Sequence, residues 1–282
     1  MDLHVSIKPE SLFDFDIPFL GTFNFTNSFL TMILVMVFLI VVGHLVARNA
    51  TLVPTHGQSI FEMTVEFILG LVESAAGRDV GRRIFPLIGS LFIFIIVANY
   101  AGLLPGVGTL GVYEEEEEDH ARVAAVAAFQ ESHDAEEAEE HGEVLVPFFR
   151  SPSADLNMTL AMSSFVVVIV QIAGIMAHGI GGRIKHMADP WWIFPLEVIG
   201  EVARIVSLAF RLFGNIFAGE VLVAVMVAFG AATFYVLTPF TTVFLYLEVL
   251  FGFVQALVFS LLSLIYLALA TDGGHGSEEH AH

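Results

Sequence analysis

Cysteine is absent from the 282 residues, which excludes disulfides, thiolate metal sites and a cysteine nucleophile. Charge is scarce as well. Asp, Glu, Lys and Arg make up 15% of the chain, against roughly 25% in soluble globular proteins. No P-loop, GxGxxG or nucleophile motif is present, so nucleotide chemistry has no seat here. What the sequence has in excess is apolar surface: 56% of residues are of the A/V/I/L/M/F/W/Y/C set, 27 are Phe, and the mean hydropathy is +0.78. Too little polar side chain remains to cover a water-facing surface. A soluble enzyme, a disordered chain and a nucleic-acid binder are all excluded by this balance.

The net charge of −19 is local rather than global. Residues 113–143 hold 13 of the 30 acids and a single base, Arg122. Such a run reads as a solvated acidic loop, and no chemistry is assigned to it. The polar tail at 272–282, with His275, His280 and His282, likewise reads as solvated, and no metal or cofactor is expected.

A hydrocarbon core of about 30 Å needs about 20 apolar residues in a helix. Residues 28–47, 84–104 and 156–182 meet that rule with no Asp, Glu, Lys or Arg. The first is not a cleavable secretory signal, because Asp2, Glu10, Asp14 and Asp16 outnumber Lys8 ahead of it. Between the first two spans, residues 59–76 place Glu62, Glu66 and Glu73 on one face of an otherwise apolar helix, the pattern of an amphipathic interfacial helix. From Ile205 to Thr271 only Arg211, Glu220 and Glu248 are charged. Thr238-Pro239 divides this region into helices at 195–230 and 239–271, each about 50 Å long and so obliged to tilt or bend. The expected fold is therefore an all-α polytopic membrane protein: three conventional spans, an amphipathic interfacial helix and a long tilted antiparallel C-terminal hairpin. It forms one membrane domain over 1–282, with an outer segment at 1–27, an acidic outer loop at 113–150, the hairpin at 195–271 and the tail.

Arg48, Arg78, Arg82, Arg83, Arg183 and Lys185 fall on one side if the spans alternate, whereas Lys8, Arg122 and Arg150 fall on the other. The positive-inside rule then puts the N-terminus and acidic loop outside and the C-terminus in the cytoplasm.

An Arg at bilayer depth costs about 2.5–3.5 kcal/mol on insertion scales and stays protonated at any accessible pH. Arg211 lies in the middle of such a segment, so it is a functional candidate by default. Glu197, Arg204, Ser207 and Asn215 lie 14, 7 and 4 residues before it and 4 after, within about 40° of its face. Glu220, nine residues on, falls on the opposite face of a straight helix. On the second helix Glu248, Gln255 and Tyr266 share a face. Carboxyls such as Glu197, Glu220 and Glu248 in apolar surroundings are candidates for proton exchange.

These residues reach a known family. SLAFRLFGNIFAGE at 207–220, with NYAGLLPG (99–106), PSADLNMTL (152–160), PLE (195–197) and QALVFSLLSLIYLALA (255–270), resembles subunit a of the F-type ATP synthase membrane sector over about residues 28–271. The resemblance implies a non-catalytic stator that passes protons by working against a rotating ring of c subunits, with b-type peripheral-stalk subunits and the lipid bilayer as further partners. It places the family's essential arginine at Arg211, its asparagine at Asn215 and its glutamine at Gln255. The outer half-channel pair falls at Glu220 and Glu248, where many relatives have one His, and inner half-channel positions fall at Glu197 and Ser207. Ile205 departs from the Pro that relatives commonly carry there. The location it implies is a bacterial plasma (inner) membrane. A self-contained transporter would need an internal repeat or a substrate site, and no repeat is visible. A purely structural scaffold would leave Arg211 without a purpose.

Overall fold

The computed structural model describes residues 11–17, 21–49, 51, 56–104, 106–107, 110–115, 143–187, 192, 194–233 and 238–271. Residues 116–142, the bases Lys8 and Arg122 and the histidine-bearing tail lie outside these, as do the side chains of Arg183 and Lys185.

Six helices form among the described residues: α1 (Asn27–Arg48), α2 (His56–Ala76), α3 (Arg78–Ala101), α4 (Leu156–Met187), α5 (Phe194–Ala232) and α6 (Thr238–Thr271). All except α2 are long and apolar enough to cross a membrane. The all-α, multi-pass expectation holds, with boundaries close to those read from hydropathy. Capping explains several of them. Thr26 accepts a hydrogen bond from the Phe29 amide and starts α1. Asp155 Oδ1 accepts from the Asn157 amide at 2.9 Å and starts α4. Burial pushes the Asp155 carboxyl up, with Arg150 and that backbone bond pulling the other way. The membrane-spanning part of α4 ends at Gly179, where the helix kinks. Gly179 takes φ 71° and the helix resumes to Met187. Helix α5 runs unbroken through Ile205, since no proline interrupts it there.

Two short hairpins were not foreseen. Strands β1 (Ser11–Ile17) and β2 (Gly21–Thr26) pair antiparallel ahead of α1. Strands β3 (Gly111–Glu115) and β4 (Glu143–Pro147) pair antiparallel and draw together the two ends of the acidic segment. A side chain at Gly111 would overlap the Val146 carbonyl, so that pairing requires glycine.

The core is a seam of α3, α5 and α6 with α2 and α4 against it. Ile88, Leu91, Phe92, Ile95 and Ala98 recur at helical spacing along the buried face of α3, and Ala256, Phe259, Leu264 and Leu267 do so on α6. Helix α2 buries Ile68 and Val72, and its Glu73 pairs with Arg82 at 2.8 Å. Lipid offers apolar side chains no reason to leave it, so polar contacts must help fix the helices. Asn99 donates to the Gly252 carbonyl at 3.1 Å and Tyr100 to the Val249 carbonyl at 3.2 Å, joining the end of α3 to the backbone of α6. By contrast α1 leaves Val37, Phe38, Ile40 and Val41 exposed, a face that suits acyl chains.

The 3-10 turn Pro152–Ala154 is wedged between helices, and Ser151, Ser153, Ala154 and Asp155 around it are buried. Ser151 Oγ donates to the Ala98 carbonyl, and the Arg150 amide donates to Thr31 Oγ1. This wedge carries the Arg150 side chain into the helix bundle.

Candidate functional site: the intramembrane hairpin

Helices α5 and α6 run antiparallel, as three contacts establish. Arg204 lies over the Tyr266 ring, Asn215 donates to the Phe251 carbonyl at 3.2 Å, and Gly219 lies against Glu248. One partner number falls as the other rises. The buried stripe Leu208, Leu212 and Ile216 of α5 repeats every four residues and faces the bundle.

Arg211 lies on an outer face of α5. It is exposed, and it makes no hydrogen bond or ion pair among the described residues. Ser207, one turn earlier, is exposed too, and Glu197 is half-buried with no ion pair among the described residues. Of the residues that helical phase groups with Arg211, Ser207 shares its exposure, whereas Arg204 and Asn215 make contacts with α6.

The carboxyls expected on the other side of this cation are placed by different elements. Glu220 turns away from Arg211, as its nine-residue offset requires, and meets Arg150 Nε at 3.5 Å. Glu248 is buried. It fits because residue 219 has no side chain: a Cβ there would stand 2.8 Å from Glu248 Oε1 and 2.9 Å from Cδ. A half-open pocket of about 160 Å³ lies here, lined by Asn215, Gly219, Glu248, Phe244 and Phe251 among others. Gln255, two turns along α6, is buried with Nε2 lacking a partner among the described residues. The structure thus brings Asn215, Glu220 and Glu248 into one neighbourhood with Arg150. It joins Arg211 to none of Glu220, Glu248 or Gln255.

Three participants escaped the sequence reading. Arg150 was treated only as a topology marker, and nothing local could reveal a contact 70 positions away. Gly219 offers no side chain to read, and its structural use is to make room for a carboxyl. Glu201 was legible: it sits three residues before Arg204, the spacing at which helical side chains meet, and the two pair at 2.8 Å.

The alternation of spans gains support from the same geometry. Arg150 follows the second span and precedes the third, and it reaches a residue in the C-terminal half of α5. Those two positions share a membrane side when five helices alternate.

Comparison with known proteins shows the family of the chain. The family model described as ATP synthase A chain matches residues 29–268. Similar proteins include the ATP synthase subunit a of Syntrophobacter fumaroxidans, 34% identical over 253 residues that cover 88% of this chain and 82% of that one. That of Desulfosudis oleivorans is 35% identical over 253 residues, covering 88% and 86%. That of Moorella thermoacetica is 29% identical over 270 residues, covering 95% and 98%. With the family model matched over most of its length and an exposed arginine in the middle of its longest helix, this chain belongs to the ATP synthase A chain family.

Proposed function

We propose that this chain is the stator against which a ring of c subunits turns, and that Arg211 is the cation each ring carboxylate meets in passing. Members of this family are non-catalytic subunits of the ATP synthase membrane sector and serve proton translocation. The observation that carries the finer reading is Arg211 itself, a permanent charge in a membrane span, turned outward with no counter-ion among the described residues. A buried or lipid-facing guanidinium needs a counter-charge. Here a neighbouring chain supplies it.

Protons reach the ring from outside past Glu220 and Glu248, within the neighbourhood built by Asn215, Gly219 and Arg150. They load a ring carboxylate, travel round in lipid and leave toward the cytoplasm past Ser207 and Glu197. Glu220 lies about 13 Å along the helix from Arg211 on one side and Glu197 about 21 Å on the other. The two paths are thus offset in depth, with the cation between them. Arg211 repels hydronium and interrupts any continuous wire, so a proton crosses only by riding the ring. The basic residues of the loops support an outer N-terminus in a bacterial inner membrane, with b-type stalk subunits as further partners.

Because the chain has no cysteine, contact with the ring is testable without background. A Ser207→Cys variant is expected to form a disulfide with a cysteine placed beside the ring carboxylate. A cysteine at Leu34, exposed on α1, is expected not to. The reverse pattern would turn the ring to another face and sink the assignment.

The access path has its own test. Glu220→Gln or Glu248→Gln is expected to slow passive proton flux through the membrane sector by about tenfold while leaving pumping coupled. Arg150→Ala removes a partner of Glu220 and gives a smaller fall, with no further loss of flux when added to Glu220→Gln. Unchanged flux in both glutamine variants would take these carboxyls off the path.

A further inference from the structure

Arg204 stands seven residues before Arg211 on α5, about 20° round the helix and about 10 Å along it. Two arginines therefore share nearly one face of a membrane-spanning helix, and they are handled oppositely. Arg211 is outward and unpaired among the described residues. Arg204 Nη1 is bound to Glu201 Oε1 at 2.8 Å, and its guanidinium lies 5.1 Å from the centre of the Tyr266 ring on α6. The Glu201 side chain is only 12% exposed, and its second oxygen is enclosed with no partner among the described residues, so this carboxylate is committed to Arg204 rather than to a wider network.

We infer that Glu201 and Tyr266 form a clamp that withholds Arg204 from the passing ring carboxylate, so that Arg211 alone engages it. This rests on the reading of Arg211 given above. The physical need is plain. Free guanidinium groups at two depths would offer one carboxylate two attractive positions about 10 Å apart, and the lower would delay its release from the stator. Neutralising Arg204 with Glu201 cancels its long-range field, and the Tyr266 ring draws the guanidinium toward α6 and away from the outer face. Glu201 belongs to the same helix as Arg204, so half of the clamp is preformed. Tyr266 closes it only when the hairpin is in register. Glu201 and Tyr266 are positioning residues: each acts through Arg204 and touches no ring group.

The test uses the assembled complex in membrane vesicles and reads ATP-driven proton pumping. Glu201→Gln, which keeps the shape and removes the charge, is expected to slow pumping by about fivefold. Adding Arg204→Gln to it is expected to restore the rate to within about twofold of normal, because the released cation is then gone. Tyr266→Phe retains the ring face and is expected to pump normally, whereas Tyr266→Leu is slowed and is again rescued by Arg204→Gln. Rescue by removing a second residue separates the clamp from a merely structural role. If Glu201→Gln does not accumulate in membranes, the Tyr266→Leu pair decides alone. Normal pumping in Glu201→Gln, or slow pumping that Arg204→Gln fails to relieve, would overturn the inference. Arg211→Ala, measured alongside, separates the two levels. If it still pumps, the stator reading falls. If it is dead while Glu201→Gln is normal, only the clamp falls.

Discussion

Replacing Arg211 by Ala is expected to reduce ATP-driven proton pumping to the background of the measurement while the complex remains assembled. The magnitudes make this the largest effect in the molecule. A desolvated arginine costs about 2.5–3.5 kcal/mol to hold in a membrane helix. A carboxylate at contact distance returns about 4 kcal/mol at an effective dielectric constant of 20. On the proposed reading the encounter is thus worth roughly what the desolvation costs: enough to keep a ring carboxylate ionised at the stator, and not enough to trap it. Alanine removes both terms, along with the barrier to a direct proton wire. Because the Arg211 side chain makes no hydrogen bond or ion pair among the described residues, its loss breaks no internal contact of that kind. Stability should follow suit, with the amount of assembled complex unchanged. Arg211→Lys is expected to recover little, since an ammonium lacks the planar fork and can surrender its proton when desolvated. The measurement is quenching of a pH-sensitive dye in inverted vesicles, with subunit content checked on the same membranes. Coupled pumping at a normal rate in the alanine variant would end the rotary assignment.

Enlarging Gly219 should produce the next largest effect, by a route the charge argument does not anticipate. A methyl group there falls 2.8 Å from Glu248 Oε1 and 2.9 Å from Cδ. These atoms end a flexible side chain, so alanine can be accommodated if Glu248 shifts. Moderate slowing of passive proton flux is expected, about threefold if roughly 0.6 kcal/mol is lost. Valine adds two methyl groups to a space that also holds Asn215 and Phe251, and it forces the carboxyl out of its buried place. Flux should then fall by about tenfold or more. Shortening the displaced group should relieve the crowding, so Gly219→Val combined with Glu248→Asp is expected to pass more protons than Gly219→Val alone. Failure of that partial relief would mean that Gly219 serves the helix path rather than the carboxyl.

Particular residues show why some of this was legible in advance. Spans such as 84–104 declare themselves by composition, because crossing a hydrocarbon layer is a property of a segment and not of its neighbours. Arg211 declared itself for the same reason: no context in the chain makes a mid-span guanidinium cheap. The opposition of Glu220 to Arg211 followed from helical phase alone. Glycine at 179 marks a change of direction without saying whether a further helical stretch follows, and the structure shows one to Met187. The paired strands β3 and β4 are too short to stand out from the acidic composition around them.

The sequence by itself determined that this chain is a multi-pass membrane protein, which stretches are long and apolar enough to cross, and that one permanent cation sits where a charge is costly. Those properties are additive over short stretches and need no knowledge of what packs against what. The tertiary structure alone decided which charges are answered from within. It sent Arg150 to Glu220 across 70 residues, lodged Glu248 against Gly219, and tied Arg204 to Glu201 and Tyr266 while leaving Arg211 outward. Coulomb energy and steric fit depend on distances of a few ångströms between segments far apart in the chain, and only packing sets those distances.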